Sequence, residues 1–454
     1  MFFHHFFVFY MIVMKFGGTS VGSPERIKEV ANILVNFGQP LLVVLSAMSG
    51  TTNALVEIAN CYRKGDNGQA GTLIAELQQK YQQHVQLLYA TEEMRQKTAA
   101  LLEDKFNFIR SFAGDYFSSF EEKQIVAQGE IMSTNMMVNY LVECGYAACL
   151  LNALNMVYTN KDGEPDMEKI SQATHAALSA NANKQIYVTQ GFISTNAFGE
   201  TDNLQRGGSD YTATLLGAAI RSEEVQIWTD VDGIHTADPR IVTDTRAIRE
   251  VSFNEAAELA RFGAKILHPT CVIPAQKADV PIRLKYTMDP EAEGTLITNS
   301  PSTSSSSAAA TPTAIASKEP ITLLRLQPKH NISATTLLKR VCDELIAHQL
   351  QPDLTALCGG NILMAIGNDA MTEEFIERVQ LWSYLNKDMN CSLIAIVGDY
   401  EDNEKLRGCV MDAVPQQAIK VHLQGISPLS ISFVVKRDDR DAFISSMHQQ
   451  LFAL

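Results

Sequence analysis

The sequence lacks the motifs that identify several common kinds of site. It contains no CxxC pair, and its eight cysteines are scattered, with Cys144 and Cys149 the closest two. That spacing fits neither a zinc site nor a disulfide framework, so we expect free thiols in a reducing, cytoplasmic compartment. Neither a GxxxxGK[ST] loop nor a GxGxxG fingerprint occurs. Any phosphate site must therefore use turns other than a P-loop or a dinucleotide-binding turn.

Positive charge is also scarce. Against 51 Asp and Glu stand only 37 Lys and Arg, which gives a net charge of −14. This balance argues against nucleic acid or an anionic membrane as a partner, and a small anionic substrate would need a locally basic pocket. No segment resembles a transmembrane helix. The 454 residues, 46% of them hydrophobic, are enough for two or three globular domains.

The first ten residues, MFFHHFFVFY, are apolar but too short to span a membrane as a helix. They lack the basic region and the small-residue cleavage site of a signal peptide. Three interpretations stay open: a disordered or misassigned extension with initiation at Met11 or Met14, an added β-strand or partner contact, and a targeting segment. We favour the first, because the strand that begins the functional pattern starts at Met11.

Residues 11–299 alternate strand-like and helix-like stretches. Continuous apolar runs such as Leu41–Leu45, Ile186–Thr189 and Val225–Trp228 are typical of buried parallel strands. A helical pattern such as Tyr211–Arg221 separates them, and residues 66–143 are rich in helix-forming polar residues. The alternation predicts an α/β fold with a mostly parallel central sheet and a helical insertion near the active face.

A second pattern follows a segment that cannot build a core. Residues 300–318 are rich in Ser, Ala, Thr and Pro and are predicted to be a flexible linker. Residues 319–454 then show two cycles of strand and helix patterns, which fit two small α+β units of the βαββαβ type. Residues 1–10, 11–299, 300–318 and 319–454 are thus the predicted extension, first domain, linker and paired C-terminal units.

The most specific motif is KFGGTSVGS at residues 15–23. It follows a strand-like run and precedes an amphipathic helix, so the amides of Gly17 and Gly18, the helix N-terminus and the charge of Lys15 predict an anion site. The motif is similar to the opening signature of aspartate kinases. That resemblance implies an amino-acid-kinase three-layer sandwich followed by two ACT-like, ferredoxin-like modules. It also implies transfer of the ATP γ-phosphoryl group to the β-carboxylate of L-aspartate, giving 4-phospho-L-aspartate, the first step towards lysine, threonine and methionine.

Three further segments carry the acceptor site that the resemblance implies. Ser46 and Thr52 lie in SAMSGTTN, directly after an apolar strand, where small hydroxyl residues fit a ligand crevice but also fit a plain helix N-cap. The resemblance makes Glu130 of QGEIMST a binder of the substrate α-ammonium group, although a lone Glu in a helix is more often solvated.

The segment RGGSD at residues 206–210 joins a guanidinium, two glycines, a hydroxyl and a carboxylate at the start of a helix. Arg206 can bind a carboxylate through two parallel hydrogen bonds, and the amide of Ser209 can face an oxyanion. Asp210 has two possible tasks, which are to hold a lysine or to bind the α-ammonium group. A loop with a capped helix is the structural alternative.

The resemblance places the nucleotide on two later segments. Thr229, Asp230, Asp238 and Arg240 match its pattern within TDVDGIHTADPR, whereas His235 stands where the family commonly has Tyr. Lys265 of FGAKILHP is expected on the phosphates. The aspartates suit nucleotide contacts better than a protein metal site, with Mg²⁺ held mainly by phosphate oxygens and water.

A carboxylate acceptor needs no general base, since its pKa of about 3.9 leaves it ionised at neutral pH. The difficulty is bringing two anions together, so catalysis is expected from positioning and positive charge. Lys15, Gly17, Gly18, Lys265 and Mg²⁺ are the candidates for that charge.

The C-terminal modules imply feedback control by lysine or threonine and a homodimer or larger assembly. Gln424 is the best single candidate for an effector contact. The alternatives are a kinase for another amino acid, and a catalytically weak amino-acid sensor.

Overall fold

The computed structural model describes residues 11–114, 117–204, 207–264, 267–301, 311–329, 332–368, 371–415 and 419–452. These residues form two compact units. The first comprises the described parts of Met1–Ile234 and Thr270–Pro301, and the second those of His235–Pro269 and Ser302–Leu454.

The elements up to residue 229 are β1 (Ile12–Phe16), α1 (Pro24–Asn36), β2 (Leu41–Leu45), α2 (Thr51–Arg63), α3 (Asn67–Leu88), α4 (Glu92–Arg110), α5 (Ser119–Glu143), β3 (Ala148–Leu151), α6 (Met167–Ala180), β4 (Ile186–Gln190), β5 (Ile193–Thr195), β6 (Thr201–Asn203), α7 (Gly208–Ile220) and β7 (Glu224–Thr229).

The later elements are β8 (Glu250–Ser252), α8 (Phe253–Arg261), α9 (Val272–Ala278), β9 (Ile282–Tyr286), β10 (Thr295–Thr298), β11 (Ala314–Pro328), α10 (Ala334–Ala347), β12 (Leu354–Cys358), β13 (Asn361–Gly367), α11 (Glu373–Gln380), β14 (Ser383–Val397), α12 (Glu404–Ala413), β15 (Ile419–Ser427), β16 (Ser430–Lys436) and α13 (Arg440–Phe452).

Seven strands of the first unit lie side by side in the order β3-β4-β2-β1-β7-β9-β10. All the neighbouring pairs are parallel except β10 with β9, so the predicted mostly parallel sheet is confirmed. Every residue of β2 is buried, as the continuous apolar run predicted. Because the central strands are parallel and in register, the segments that follow β1, β2 and β4 emerge at one edge of the sheet.

Helices cover both faces of this sheet, which gives the expected three layers. On one face, alternate residues of β1 and β2, such as Met14 and Val43, pack into a core with α1 to α5. On the other face α7 approaches so closely that a Cβ on Gly217 would overlap Val225 and contact Val13. The predicted helical insertion at residues 66–143 is present as α3, α4 and α5.

The second unit begins earlier in the chain than the composition indicated. Residues 235–269 belong with the C-terminal part rather than with the first unit. Strand β11 starts at Ala314, inside the segment predicted as a linker, and Ala314–Lys318 pair with Val397–Leu393 of β14. The small side chains of this stretch resemble a linker by composition, yet Ile315 is buried in a core. Residues 302–310 lie outside the described part of the chain.

The C-terminal sheet has six strands in the order β12-β13-β11-β14-β16-β15. It serves two modules, because β11 and β14 are each 15 residues long and contribute one half to each module. The later half of β11 packs through Leu324 against α10 and α11. Its earlier half packs through Ile315 against α12 and α13. The irregularity in register between Lys318 and Ile321 marks the boundary between the halves.

The two modules are therefore nested rather than consecutive. The first module is continuous and runs from Ile321 to the first half of β14. The second takes its edge strand from Ala314–Lys318, before the first module, and its remaining elements from the second half of β14 onwards. Two α+β modules were predicted correctly, but their sequential arrangement was not, since periodicity identifies strands without identifying their partners.

Candidate active site

A cavity of about 750 Å³ opens in the first unit at the carboxyl ends of β1, β2 and β4. This edge of a parallel sheet is where ligands bind in open α/β folds. The residues that line the cavity come from segments far apart in the sequence: Gly18, Thr19, Ser46, Ala47, Met48, Ser49, Gly50, Thr52, Asn53, Glu130, Phe192, Leu204, Gly207, Gly208 and Ser209. Five of the predicted site residues, Gly18, Ser46, Thr52, Glu130 and Ser209, are among them.

Lys15 and Asp210 form an ion pair beside this cavity. The Nζ atom of Lys15 lies 2.7 Å from Oδ1 of Asp210, and both side chains are largely buried. Lys15 is in β1 and Asp210 is in the first turn of α7. Of the two tasks expected for Asp210, this ion pair agrees with holding a lysine. The pair fixes the ammonium group near Gly17, whose Cβ, if it had one, would lie 3.4 Å from Nζ.

The glycine turn packs directly on the segment after β2. A Cβ on Gly18 would lie 2.7 Å from the carbonyl oxygen of Ala47, so no larger residue fits there. The amide of Ser49 donates to the carbonyl oxygen of Gly18 over 3.1 Å. Glycine is thus needed here for a close approach of two backbones, and this approach joins the two segments into one wall of the cavity.

Two helix N-termini open towards the cavity. The N-cap residues of α2 and α7 are Gly50 and Gly207, both with positive φ, and neither helix has a side-chain cap. In α2 the amide of Thr51 donates to the carbonyl oxygen of Met48 over 2.9 Å, and the next two residues line the cavity. No side chain caps the first amides of α7, which suits them to an anion. The Ser/Thr cap considered for α2 is absent because Gly50 occupies the N-cap position. Helix α1, by contrast, is capped by Ser23, which accepts from the amide of Arg26.

Glu130 is an almost fully buried carboxyl group in the cavity wall, 3% exposed. Its Oε1 accepts from the amide of Ala47 over 3.1 Å, while Oε2 has no hydrogen-bond partner among the described residues. Burial raises the pKa of Glu130 to about 7, and the Ala47 hydrogen bond opposes that rise. A buried carboxylate with a free oxygen is well suited to bind a cationic group.

Sequence reasoning missed the residues that position Glu130. Ser133 donates to the carbonyl oxygen of Ser46 over 2.8 Å and so joins α5 to the segment after β2. Thr134 donates to the carbonyl oxygen of Glu130 and accepts from Gln190, which is buried at the end of β4. Their spacing of three and four residues from Glu130 was the available signal, but it is equally typical of local bonds within a helix.

Phe192 was also missed, although it lines the cavity. Its φ of 67° is unusual for a residue with a Cβ. The amide of Phe192 donates to Oγ1 of Thr212 over 3.0 Å, and Thr212 is fully buried in α7. A Cβ on Gly208 would overlap the Phe192 side chain. The backbone strain is therefore maintained by packing against α7, and it fixes an aromatic wall next to the α7 N-terminus.

The predicted nucleotide residues are divided between the units. Thr229 ends β7 in the first unit and Asp230 follows it, and Oγ1 of Thr229 donates to Oδ1 of Asp230 over 3.1 Å. His235, Asp238 and Arg240 belong to the second unit. There Arg240 binds both carboxylate oxygens of Asp238, which lowers the pKa of that carboxyl group.

The remaining predicted residues are outside the cavity or outside the described part of the chain. Arg206 and Lys265 fall on residues that the structure does not describe. Gln424 is an exposed residue of β15 in the second module.

The described residues hold neither a metal-binding cluster nor a membrane-spanning helix. Within residues 11–452, gaps excluded, there is no group of three or more His, Cys, Asp or Glu side chains arranged to hold a metal ion. In the same residues no helix is long and apolar enough to cross a membrane.

Comparison with known proteins agrees with this geometry. The profile of the amino acid kinase family matches residues 11–285. Lysine-sensitive aspartokinase 3 of Escherichia coli (strain K12) is 30% identical over 458 residues, which cover 97% of this chain and 99% of that protein.

Solved structures of a relative match over the same length. The crystal structure of E. coli aspartokinase III in complex with aspartate and ADP (R-state) matches with a TM-score of 0.81 at 29% identity, covering 97% of this chain and 100% of that chain. The same enzyme in complex with lysine and aspartate (T-state) matches with a TM-score of 0.81 at 28% identity, covering 98% and 100%. This chain therefore belongs to the amino acid kinase family and, within it, to the aspartokinases.

Proposed function

We propose that this chain transfers the γ-phosphoryl group of ATP to the β-carboxylate of L-aspartate. The observation that carries the proposal is the cavity that combines Glu130, a buried carboxylate with a free oxygen, with two uncapped helix N-termini. An amino acid with a second carboxylate matches this set. Its ammonium group suits Glu130, and its carboxylates suit the helix amides and hydroxyls.

The chemistry needs charge and alignment rather than proton transfer. A β-carboxylate oxygen attacks the γ-phosphorus of ATP, the bond to the bridging oxygen breaks, and ADP leaves with that electron pair. The acceptor is already ionised at neutral pH. We infer that Lys15, oriented by Asp210, stabilises the negative charge on the phosphoryl group in the transition state of its transfer. The amides of Gly17 and Gly18 are proposed to act beside it.

Mg²⁺ would supply further charge neutralisation. We propose phosphate oxygens and water as its main ligands, since Mg²⁺ in nucleotide sites usually keeps several waters and binds the substrate phosphates. Arg206 and Lys265 stay predictions for the acceptor carboxylate and the nucleotide phosphates. Thr229, Asp230, His235, Asp238 and Arg240 stay predictions for nucleotide binding, and a cytoplasmic location stays a prediction from the cysteines.

Aspartyl-hydroxamate formation tests the activity. We expect product only when ATP, Mg²⁺ and L-aspartate are all present, with L-glutamate at least tenfold poorer as acceptor. Equal rates with both acids would favour the alternative of a different amino-acid kinase. Aspartate binding without any turnover would favour the catalytically weak sensor.

Feedback control is proposed for the second unit. E. coli aspartokinase III has been solved with lysine bound, which makes lysine the first effector to test. The predicted nucleotide loop is tied to the second module: the amide of Ile315 in β11 donates to the carbonyl oxygen of Thr236, and Oγ1 of Thr236 bonds Nε2 of His448 in α13 over 2.8 Å. A change in this module is thereby transmitted to residues next to His235 and Asp238.

Isothermal titration with lysine, threonine and methionine distinguishes the effectors. We expect heat with lysine and a matching rise in the aspartate KM, since coupling between two sites is reciprocal. Absence of heat with all three would remove the effector role of the modules, and of Gln424 with it. Sedimentation in the presence and absence of lysine tests the predicted homodimer.

A further inference from the structure

Helix α3, part of the helical insertion, reaches the active-site segment at two adjacent residues. The Nζ atom of Lys80 donates to the carbonyl oxygen of Ser49 over 3.0 Å. The hydroxyl of Tyr81 bonds Oγ1 of Thr51 over 3.0 Å in a fully buried position. Ser49 lines the cavity, and Thr51 is the first residue of α2, of which the next two residues, Thr52 and Asn53, line the cavity.

Ser49 is consequently fixed from both sides. Its amide donates to Gly18 of the glycine turn, and its carbonyl oxygen accepts from Lys80. The next residue, Gly50, has a φ of 82° and carries no side chain that could cap α2. Among the described residues, Lys80 is the donor to this carbonyl oxygen, and it holds the peptide unit before the helix together with the backbone bonds of Ser49 and Thr51.

Lys80 also brings a charge to this place. Its ammonium group lies beside Ser49 and 4.0 Å from the position that a Cβ on Gly50 would take, and both residues line the cavity. Among the described residues no carboxylate lies within ion-pair distance of it. Lys15, in contrast, is already paired with Asp210. A site for two anions therefore has an additional unpaired cation at its edge.

We propose that Lys80 is a positioning residue for the acceptor: it holds Ser49 so that the N-terminal amides of α2 face the aspartate carboxylate, and its ammonium group favours the entry of that anion. This inference rests on the proposed function. Lys80 does not touch the reacting atoms in this account, so its loss should weaken acceptor binding more than turnover.

Steady-state kinetics of full-length Lys80→Met, Lys80→Arg and the exposed control Lys97→Met test the proposal. Wild-type activity with aspartate is measured first, so that failure of the proposed function is recognised independently. We expect Lys80→Met to raise the aspartate KM about tenfold, with less than a twofold change in the ATP KM and a small change in kcat. Lys80→Arg keeps the charge and a donor and should restore the KM to within threefold.

Melting temperatures and ionic strength separate positioning from a general structural role. The melting temperature of Lys80→Met should stay within about 2 °C of wild type, and its aspartate KM should depend less on salt. A wild-type aspartate KM in Lys80→Met would overturn the proposal. So would a parallel rise in both KM values with a lower melting temperature, because that pattern indicates a damaged fold.

Discussion

The carboxyl group of Glu130 lies where its charged form is costly, because burial raises its pKa to about 7. In the unfolded chain the value is near 4.5, so the native state holds a proton more tightly than the unfolded state. The stability that this provides is fully present below pH 4.5 and is lost as the pH rises through about 7. The difference between these two pKa values corresponds to roughly 3 kcal/mol of stability at most.

Glu130→Gln should therefore stabilise the unliganded protein more at pH 8 than at pH 5.5. The amide keeps an oxygen for the Ala47 hydrogen bond but never carries a charge. Thermal melts of both proteins at the two pH values measure the effect. A difference in melting temperature that does not change with pH would contradict the assigned pKa.

The same carboxyl group predicts the pH dependence of activity. Only its anion can pair with the aspartate ammonium group, so kcat/KM for aspartate should fall about tenfold per pH unit below about 7. In Glu130→Gln the value should be low and nearly independent of pH. A pH profile from 5.5 to 8 provides the measurement, and a flat wild-type profile would exclude Glu130 as the ammonium-binding group.

Lys15→Ala should lower kcat by on the order of 10²–10³ or more, since it removes a charge from the phosphoryl group in flight. The exposed Lys64→Ala serves as the control for a lost lysine. Hydroxamate assays together with far-UV circular dichroism separate catalysis from folding. Near-normal turnover of a folded Lys15→Ala protein would remove the central role of this residue.

Helix α7 illustrates what a sequence can and cannot predict about an element. Its pattern predicted a helix over 211–221, and the structure has Gly208–Ile220. The buried strands β2 and β4 were predicted nearly to the residue, because a strand covered on both faces is continuously apolar. The positive φ of Phe192 could not be predicted, since Thr212 and Gly208 impose it from another element.

Close packing of α7 gives a prediction that opposes helix propensity. Gly217→Ala would place a Cβ on top of Val225, and overpacking of about 1–3 kcal/mol should exceed the roughly 1 kcal/mol gained by replacing a helical glycine. Gly71→Ala in α3 meets nothing within 4 Å and should be stabilising. Urea denaturation should therefore shift in opposite directions for the two variants. A stabilising Gly217→Ala would show that α7 can move away from the sheet.

The nesting of the two modules is a property of the whole molecule, because it depends on pairing between strands that are far apart in the sequence. Composition placed residues 314–318 in a linker, because nothing local shows that Ile315 pairs with Ile396 some eighty residues later. The candidate site differed in this respect, since the motif at 15–23 was specific and the family resemblance assigned the segments at 46–53 and 206–210 to the same site. The features that could not be predicted are those that depend on contacts with residues far away in the sequence.

Ile315→Ala should destabilise the second module although it precedes the first. The lost burial and the cavity left behind are expected to cost about 2–5 kcal/mol. Hydrogen exchange should rise in β16 and the second half of β14, while β12 and β13 keep their protection. Leu324→Ala, from the other half of the same strand, should show the reverse distribution. Equal loosening of both modules by either change would mean that they unfold as one.

Because the two modules share strand β11, they become complete at different times during synthesis. The first module is complete once β14 has left the ribosome. Ala314–Lys318 must wait for β14 before they have a partner strand, and their module is complete only with α13. Because the first module is continuous in the chain, recombination could replace it as one segment between Lys318 and Cys391. Replacement of the second module would need two separate segments, one on each side of the first module. Such a layout allows the inner module to vary without disturbing the outer one, which carries the contacts of Thr236.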